Sequence, residues 1–91
     1  MKTYLITYDL IKPETSVDYI RLFSNIKSHL SWAKPMRSVW LIKTNRSRNQ
    51  VMDLLRMATD RNDKLLVIEV TSDWIALNLP ADVIRWMKGN I

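Results

Sequence analysis

The 91-residue chain is long enough for one two-layer core and too short for two domains, and its 47% apolar and 25% charged residues are those of a globular protein. It has no cysteine, one histidine and one glycine, which excludes disulfides, thiol nucleophiles, cysteine-based zinc or iron–sulfur centres and glycine-rich phosphate loops. Fourteen Lys and Arg against nine Asp and Glu leave a net charge of +5. That charge is segregated. Between Tyr19 and Met52 there is no acidic side chain, while Arg21, Lys27, Lys34, Arg37, Lys43, Arg46 and Arg48 all fall there. A field of one sign favours a polyanionic partner, nucleic acid ahead of a membrane because no strongly amphipathic basic helix accompanies it. The N-terminal run has no secretory h-region and no apolar stretch approaches a bilayer span, so a soluble cytoplasmic protein with no membrane partner is expected.

Thr3 to Leu10 is rich in β-branched and aromatic residues with both alternating sets largely apolar, which predicts a central strand covered on both faces. Thr15-Ser16-Val17-Asp18 has the logic of a capping box and predicts a helix to about Leu30, with Tyr19, Ile20, Phe23, Ile26 and Leu30 as its apolar stripe. Trp32 to Thr44 holds a second β region, Met36 to Ile42, as one bent strand or two short paired ones, entered through Pro35, which belongs at a strand start or on an edge. Ser47-Arg48-Asn49-Gln50 is another capping box. Val51, Leu54, Leu55 and Ala58 form the stripe of a second helix ending near Asp60. Lys64 to Val70 reads as the last strand, and a short closing helix follows with Pro80 at its first position and Gly89 as its C-terminal cap.

This order is β-α-β(β)-α-β, a single ferredoxin-like α+β domain over residues 1–91, with an antiparallel sheet carrying two helices on one face and a short C-terminal helix. The other sheet face is then free to bind bases, to pair with a second subunit, or to be covered by the segment bearing Trp74 and Trp86. The four tryptophans read first as core or dimer packing and second as stacking surfaces. A domain this small gains from burial against a second copy, so a homodimer is expected.

Among the carboxylates Asp9 stands apart, because it closes an apolar strand where an acid is costly unless hydrogen-bonded, paired or bound to a cation. It either accepts bonds from loop amides near Leu10 to Lys12, pairs with a lysine, or binds a metal. One aspartate is too few for a magnesium site, but a two-fold axis at this strand end brings two together, and Mg²⁺ accepts one or two carboxylates with several waters. Such an ion would serve hydrolysis at phosphorus.

The run Tyr4-Leu5-Ile6-Thr7-Tyr8-Asp9-Leu10, followed by Ser38-Val39-Trp40, resembles the CRISPR-associated protein 2 family and its SinR-like and virulence-associated protein D-like relatives. The similarity covers about the first 45 residues, and topology alone thereafter. It implies a ferredoxin-fold homodimer acting on RNA or DNA, either as a Mg²⁺- or Mn²⁺-dependent endonuclease, as a non-catalytic scaffold beside an integrase, or as a toxin-type endoribonuclease with an antitoxin partner. Carried over by position, Asp9 is the catalytic residue and metal ligand at the dimer axis, Tyr8 its strand neighbour, and Ser38 and Trp40 the second-strand signature near the interface. Arg21, Lys43, Arg46 and Arg48 are the expected nucleic-acid contacts. Departures from the family pattern are the loop Ile11-Lys12-Pro13-Glu14-Thr15, the approach Pro35-Met36-Arg37 to the Ser-Val-aromatic step, and a helical rather than strand-like C-terminus. They weigh against the adaptation role and favour a stand-alone relative.

Overall fold

In a computed structural model, which describes residues 1–13 and 16–91, the apolar run near the N-terminus forms β1 (Lys2–Asp9). Its alternation divides the molecule. Tyr4, Ile6 and Tyr8 enter one core with Tyr19, Leu22, Ile26, Val51 and Leu55, while Leu5 packs into a second core on the other face. β1 is central in an antiparallel sheet completed by β2 (Ser31–Met36), β3 (Val39–Thr44) and β4 (Lys64–Glu69), in the order β2-β3-β1-β4. With α1 (Val17–Lys27), α2 (Arg48–Arg56) and α3 (Ala81–Asn90), this α+β arrangement is compatible with the ferredoxin-like class.

The apolar stripe of α1 differs in phase from the one expected. Tyr19, Leu22 and Ile26 are buried with Phe23 packed beside them, a spacing of three and four along one face. Ile20, one position round the helix, is 67% exposed, and Leu30, beyond the end of the helix, is 70% exposed. Thr15, the first residue of the expected capping box, lies outside the described residues; Ser16 is the N-cap and makes no side-chain capping bond.

The second β region is two strands. Pro35 lies inside β2 rather than at its start, which an edge strand tolerates, and the pairing of β2 with β3 is irregular between Ala33 and Met36. The second capping box forms as the sequence predicts: Gln50 N–H donates to Ser47 Oγ at 3.1 Å and Ser47 N–H to Gln50 Oε1 at 2.8 Å. α2 then buries Val51 and Leu55 and ends at Arg56, before the expected Asp60.

The C-terminal helix covers part of the second sheet face. Val83 and Met87 pack on Leu41, with Leu5, Val70, Trp74 and Trp86 around them, and the Trp86 indole donates to Ser31 Oγ at 2.7 Å. Pro80 is the N-cap rather than the first helical residue, and Gly89 lies within α3, so it does not cap the helix. The cover is incomplete: on β4, Leu66 and Ile68 are 50% and 47% exposed. Among the described residues no helix is long and apolar enough to cross a membrane.

Candidate nucleic-acid interface and the Asp9 strand end

Asp9 is the last residue of β1, and its Cα partner across the sheet is Lys64. Alternation places it on the face of Leu5 and Thr7, and therefore on the half that α3 leaves uncovered, beside half-exposed Leu66. Its carboxylate is exposed and makes no hydrogen bond or ion pair among the described residues. The loop amide of Ile11 donates instead to Asp63 Oδ1 at 2.9 Å, and Asp63 Oδ2 accepts from Asp60 N–H at 2.8 Å. Lys12 is held near Asp18 and Asp60, at 3.4 and 3.7 Å, and Asp18 foremost raises its pKa. Asp9 is thus a carboxylate at a strand end without a partner among the described residues. No group of three or more His, Cys, Asp or Glu is placed to hold a metal among the described residues. A single Asp9 carboxylate is too few ligands to hold a cation by itself.

Tyr8 and Trp40 lie on the opposite, helix-covered face and are buried. The Trp40 indole donates to the Tyr8 hydroxyl at 3.2 Å, and that hydroxyl donates to the Arg37 carbonyl at 3.3 Å. Any service these two residues give to a site is therefore through the turn they hold. That turn, Arg37-Ser38, joins β2 to β3 at the Asp9 end of the sheet, where the Ser38 carbonyl accepts from Thr7 Oγ1 at 2.8 Å.

The four expected phosphate contacts do not converge. Arg46 and Arg48 share a cleft of about 800 Å³ with Lys2, Asn45, Asn49 and Gln50. Lys43 is on the other sheet face, in register with Thr3 and Ser31, and Arg21 is exposed beside Ile20 and Met57 in a groove between α1 and α2. The cleft also stands at the far end of β1 from Asp9, because Lys2 pairs with Thr44 and Asp9 with Lys64. Seven residue steps at ~3.3 Å separate the two ends by about 23 Å. A duplex would have to run about seven base-pair steps of 3.4 Å to touch both.

The chain's one histidine belongs to this cleft's foundation. His29 is buried, with Nδ1 at 3.1 Å from Arg46 Nη1 and 3.3 Å from Thr44 Oγ1, and Thr44 Oγ1 accepts from Arg46 N–H at 3.1 Å. Burial first, then the Arg46 charge, lowers the His29 pKa from its ordinary 6.5.

A cluster that residue-by-residue reading does not single out joins α1, β2 and β3. Trp40 has ring centroids of Trp32 and Phe23 each at 5.3 Å. Lys27 Nζ lies 5.1 Å from the Trp32 centroid and 5.9 Å from that of Trp40, and Lys34 Nζ lies 4.3 Å from Phe23 and 5.0 Å from Trp40. The available signals were local: Phe23 and Lys27 are four apart on α1, and Trp32 and Lys34 two apart on β2. Comparison with family models, with curated proteins and with solved structures finds no match for this chain.

Proposed function

We propose that this protein binds nucleic acid as a ferredoxin-like homodimer of the kind that its Tyr4–Leu10 and Ser38–Trp40 segments resemble. One observation carries the reading. Every salt bridge among the described residues lies outside the acid-free stretch, in Lys2–Glu69, Lys12–Asp18 and Lys12–Asp60, so the seven cations from Arg21 to Arg48 are without an acidic partner among the described residues. Unpaired cations of one sign over neighbouring elements provide the field a phosphate backbone requires, and each contact releases counterions. Pairing of two copies is supported by the half-bare sheet face with Leu66 and Ile68, a patch that a second protomer would bury.

Metal-dependent phosphodiester cleavage is the second reading, favoured by the Asp9 carboxylate on that same uncovered half-face. Two Asp9 side chains related by a dimer axis would hold Mg²⁺ or Mn²⁺, which supplies charge stabilisation at phosphorus. The distance between Asp9 and the Arg46–Arg48 cleft means that these arginines would orient a distant part of the strand rather than the scissile phosphate.

The test is binding of end-labelled RNA and duplex DNA across a salt series, in Mg²⁺, Mn²⁺ or EDTA, with cleavage read on the same samples. Wild type binds in every condition, and changing Arg46 and Arg48 to Gln lowers the slope of log K against log salt by about 1.8 on duplex. Failure of the wild type to bind either polymer overturns the proposal. Products formed with metal by wild type and not by Asp9→Asn establish the second reading, and their absence removes it.

A further inference from the structure

We propose that the Trp32 ring, with the Lys27 ammonium over it and the Lys34 ammonium over the adjoining Trp40 ring, is a base-stacking site for single-stranded nucleic acid. The inference rests on the nucleic-acid reading above and names the form of the polymer and the place where it is held.

Trp32 is the outermost member of the aromatic row that runs through Trp40 to Phe23, and it sits on an edge strand. Trp40 is buried and its indole N–H is bonded to Tyr8; the Trp86 indole is bonded to Ser31. Trp32 differs on both counts. It is 40% exposed, and its indole N–H has no hydrogen-bond partner among the described residues. Core packing therefore accounts for Trp40 and leaves part of the Trp32 ring and its donor open to a ligand.

The charge at this edge is also uncompensated. Lys27 from α1 and Lys34 from β2 both reach the Trp40 ring, so two like charges converge on one aromatic row, and neither forms a salt bridge among the described residues. A ring quadrupole offsets each ammonium only in part. A phosphate between them would offset both. Lysine stems are long enough to swing from ring to phosphate, which frees the ring for a base. An exposed aromatic ring beside paired cations is the combination used to hold single strands, in which the bases are free to leave one another and stack on protein. A duplex offers its phosphates here but hides its base faces. Exposed Ile20 on α1, beside Phe23 and Lys27, extends the apolar surface of this edge.

The experiment measures binding of fluorescently labelled oligouridylate and oligothymidylate by anisotropy. Matched arms use an abasic strand with the same number of phosphates and a duplex, and melting of every variant is recorded. Trp32→Leu should weaken both single strands by roughly tenfold or more, with Trp32→Phe retaining part of the affinity. The same substitution should leave the abasic strand and the duplex unchanged, and wild type should hold the abasic strand about as weakly as Trp32→Leu holds the base-bearing one. Changing Lys27 and Lys34 to Gln should lower the single-strand salt slope by about 0.7 for each cation. The uridylate and thymidylate arms show whether RNA, DNA or both are accepted. Equal binding of single strands by wild type and Trp32→Leu overturns the stacking site and leaves the nucleic-acid reading standing, as does wild-type affinity for the abasic strand equal to that for the base-bearing one. Absence of wild-type binding to every polymer overturns both. If Trp32→Leu does not fold, the Trp32→Phe and abasic arms still decide.

Discussion

Arg46 Nη1 lies 3.1 Å from Nδ1 of His29, and since arginine can only donate, this contact is a hydrogen bond when that nitrogen carries the lone pair and the neutral ring holds its proton on Nε2, which is buried without a partner among the described residues. Arg46 is thereby fastened twice, through its side chain to His29 in the connection between α1 and β2 and through its backbone N–H to Thr44 Oγ1 at the end of β3. This holds the loop between β3 and α2 against the sheet, directly before the Ser47 capping box.

The neutral ring makes stability sensitive to acid. Burial and then Arg46 lower the His29 pKa below 6.5, so between that ordinary value and the folded-state value the unfolded chain binds the extra proton. The contribution of the neutral ring is complete above 6.5 and is lost as pH falls through the folded value. Melting temperature should therefore fall on acidification from neutrality beyond what the carboxylates explain, and Arg46→Gln should raise the His29 pKa while leaving it below 6.5. Imidazole titration by NMR checks both, and a wild-type value at or above 6.5 would contradict the arrangement.

Tyr8→Phe should cost about 1–3 kcal/mol. The substitution leaves the Trp40 indole N–H and the Arg37 carbonyl without the hydroxyl that joins them, and an unsatisfied buried polar group carries its full desolvation penalty. Urea denaturation gives the value. A loss below ~0.5 kcal/mol would show that the hydroxyl does not bridge core and turn.

The phase of α1 is tested by a pair of truncations. Leu22 is fully buried, so Leu22→Ala should cost ~2–5 kcal/mol, a large part of the stability of a domain this small. Ile20→Ala should change stability by ~0.5 kcal/mol or less, because Ile20 faces solvent. Equal losses at the two positions would place the buried stripe elsewhere.

Two carboxylates near one another in the fold should behave differently. Asp63→Ala removes the acceptor for both Ile11 N–H and Asp60 N–H and should cost about 1–2 kcal/mol. Asp9→Asn touches a carboxylate with no partner among the described residues and should shift stability by no more than ~0.5 kcal/mol. Thermal melts of the two variants side by side check this; a large destabilisation by Asp9→Asn would assign Asp9 a structural bond.

Features that depend on neighbours along the chain were legible in the sequence. The two largely apolar alternating sets of Thr3 to Leu10 specified a central strand, though its second face is covered only in part, Ser47 and Gln50 specified the start of α2, and the spacing of acids left Tyr19 to Met52 uniformly basic. Each is a matter of period, cap or composition, which a few adjacent residues decide. The tertiary structure alone decided that Leu22 rather than Ile20 faces the core, since an apolar residue at either position satisfies the pattern and only packing against β1 and α2 selects the phase. It likewise decided that Asp9 and Arg46 occupy opposite ends of the sheet, that α3 covers one half of the second face and leaves Asp9 on the other, and that Lys27 and Lys34 meet at Trp40. Those relationships join residues from different elements, and their distances follow from strand register and helix docking, which no local run of residues encodes.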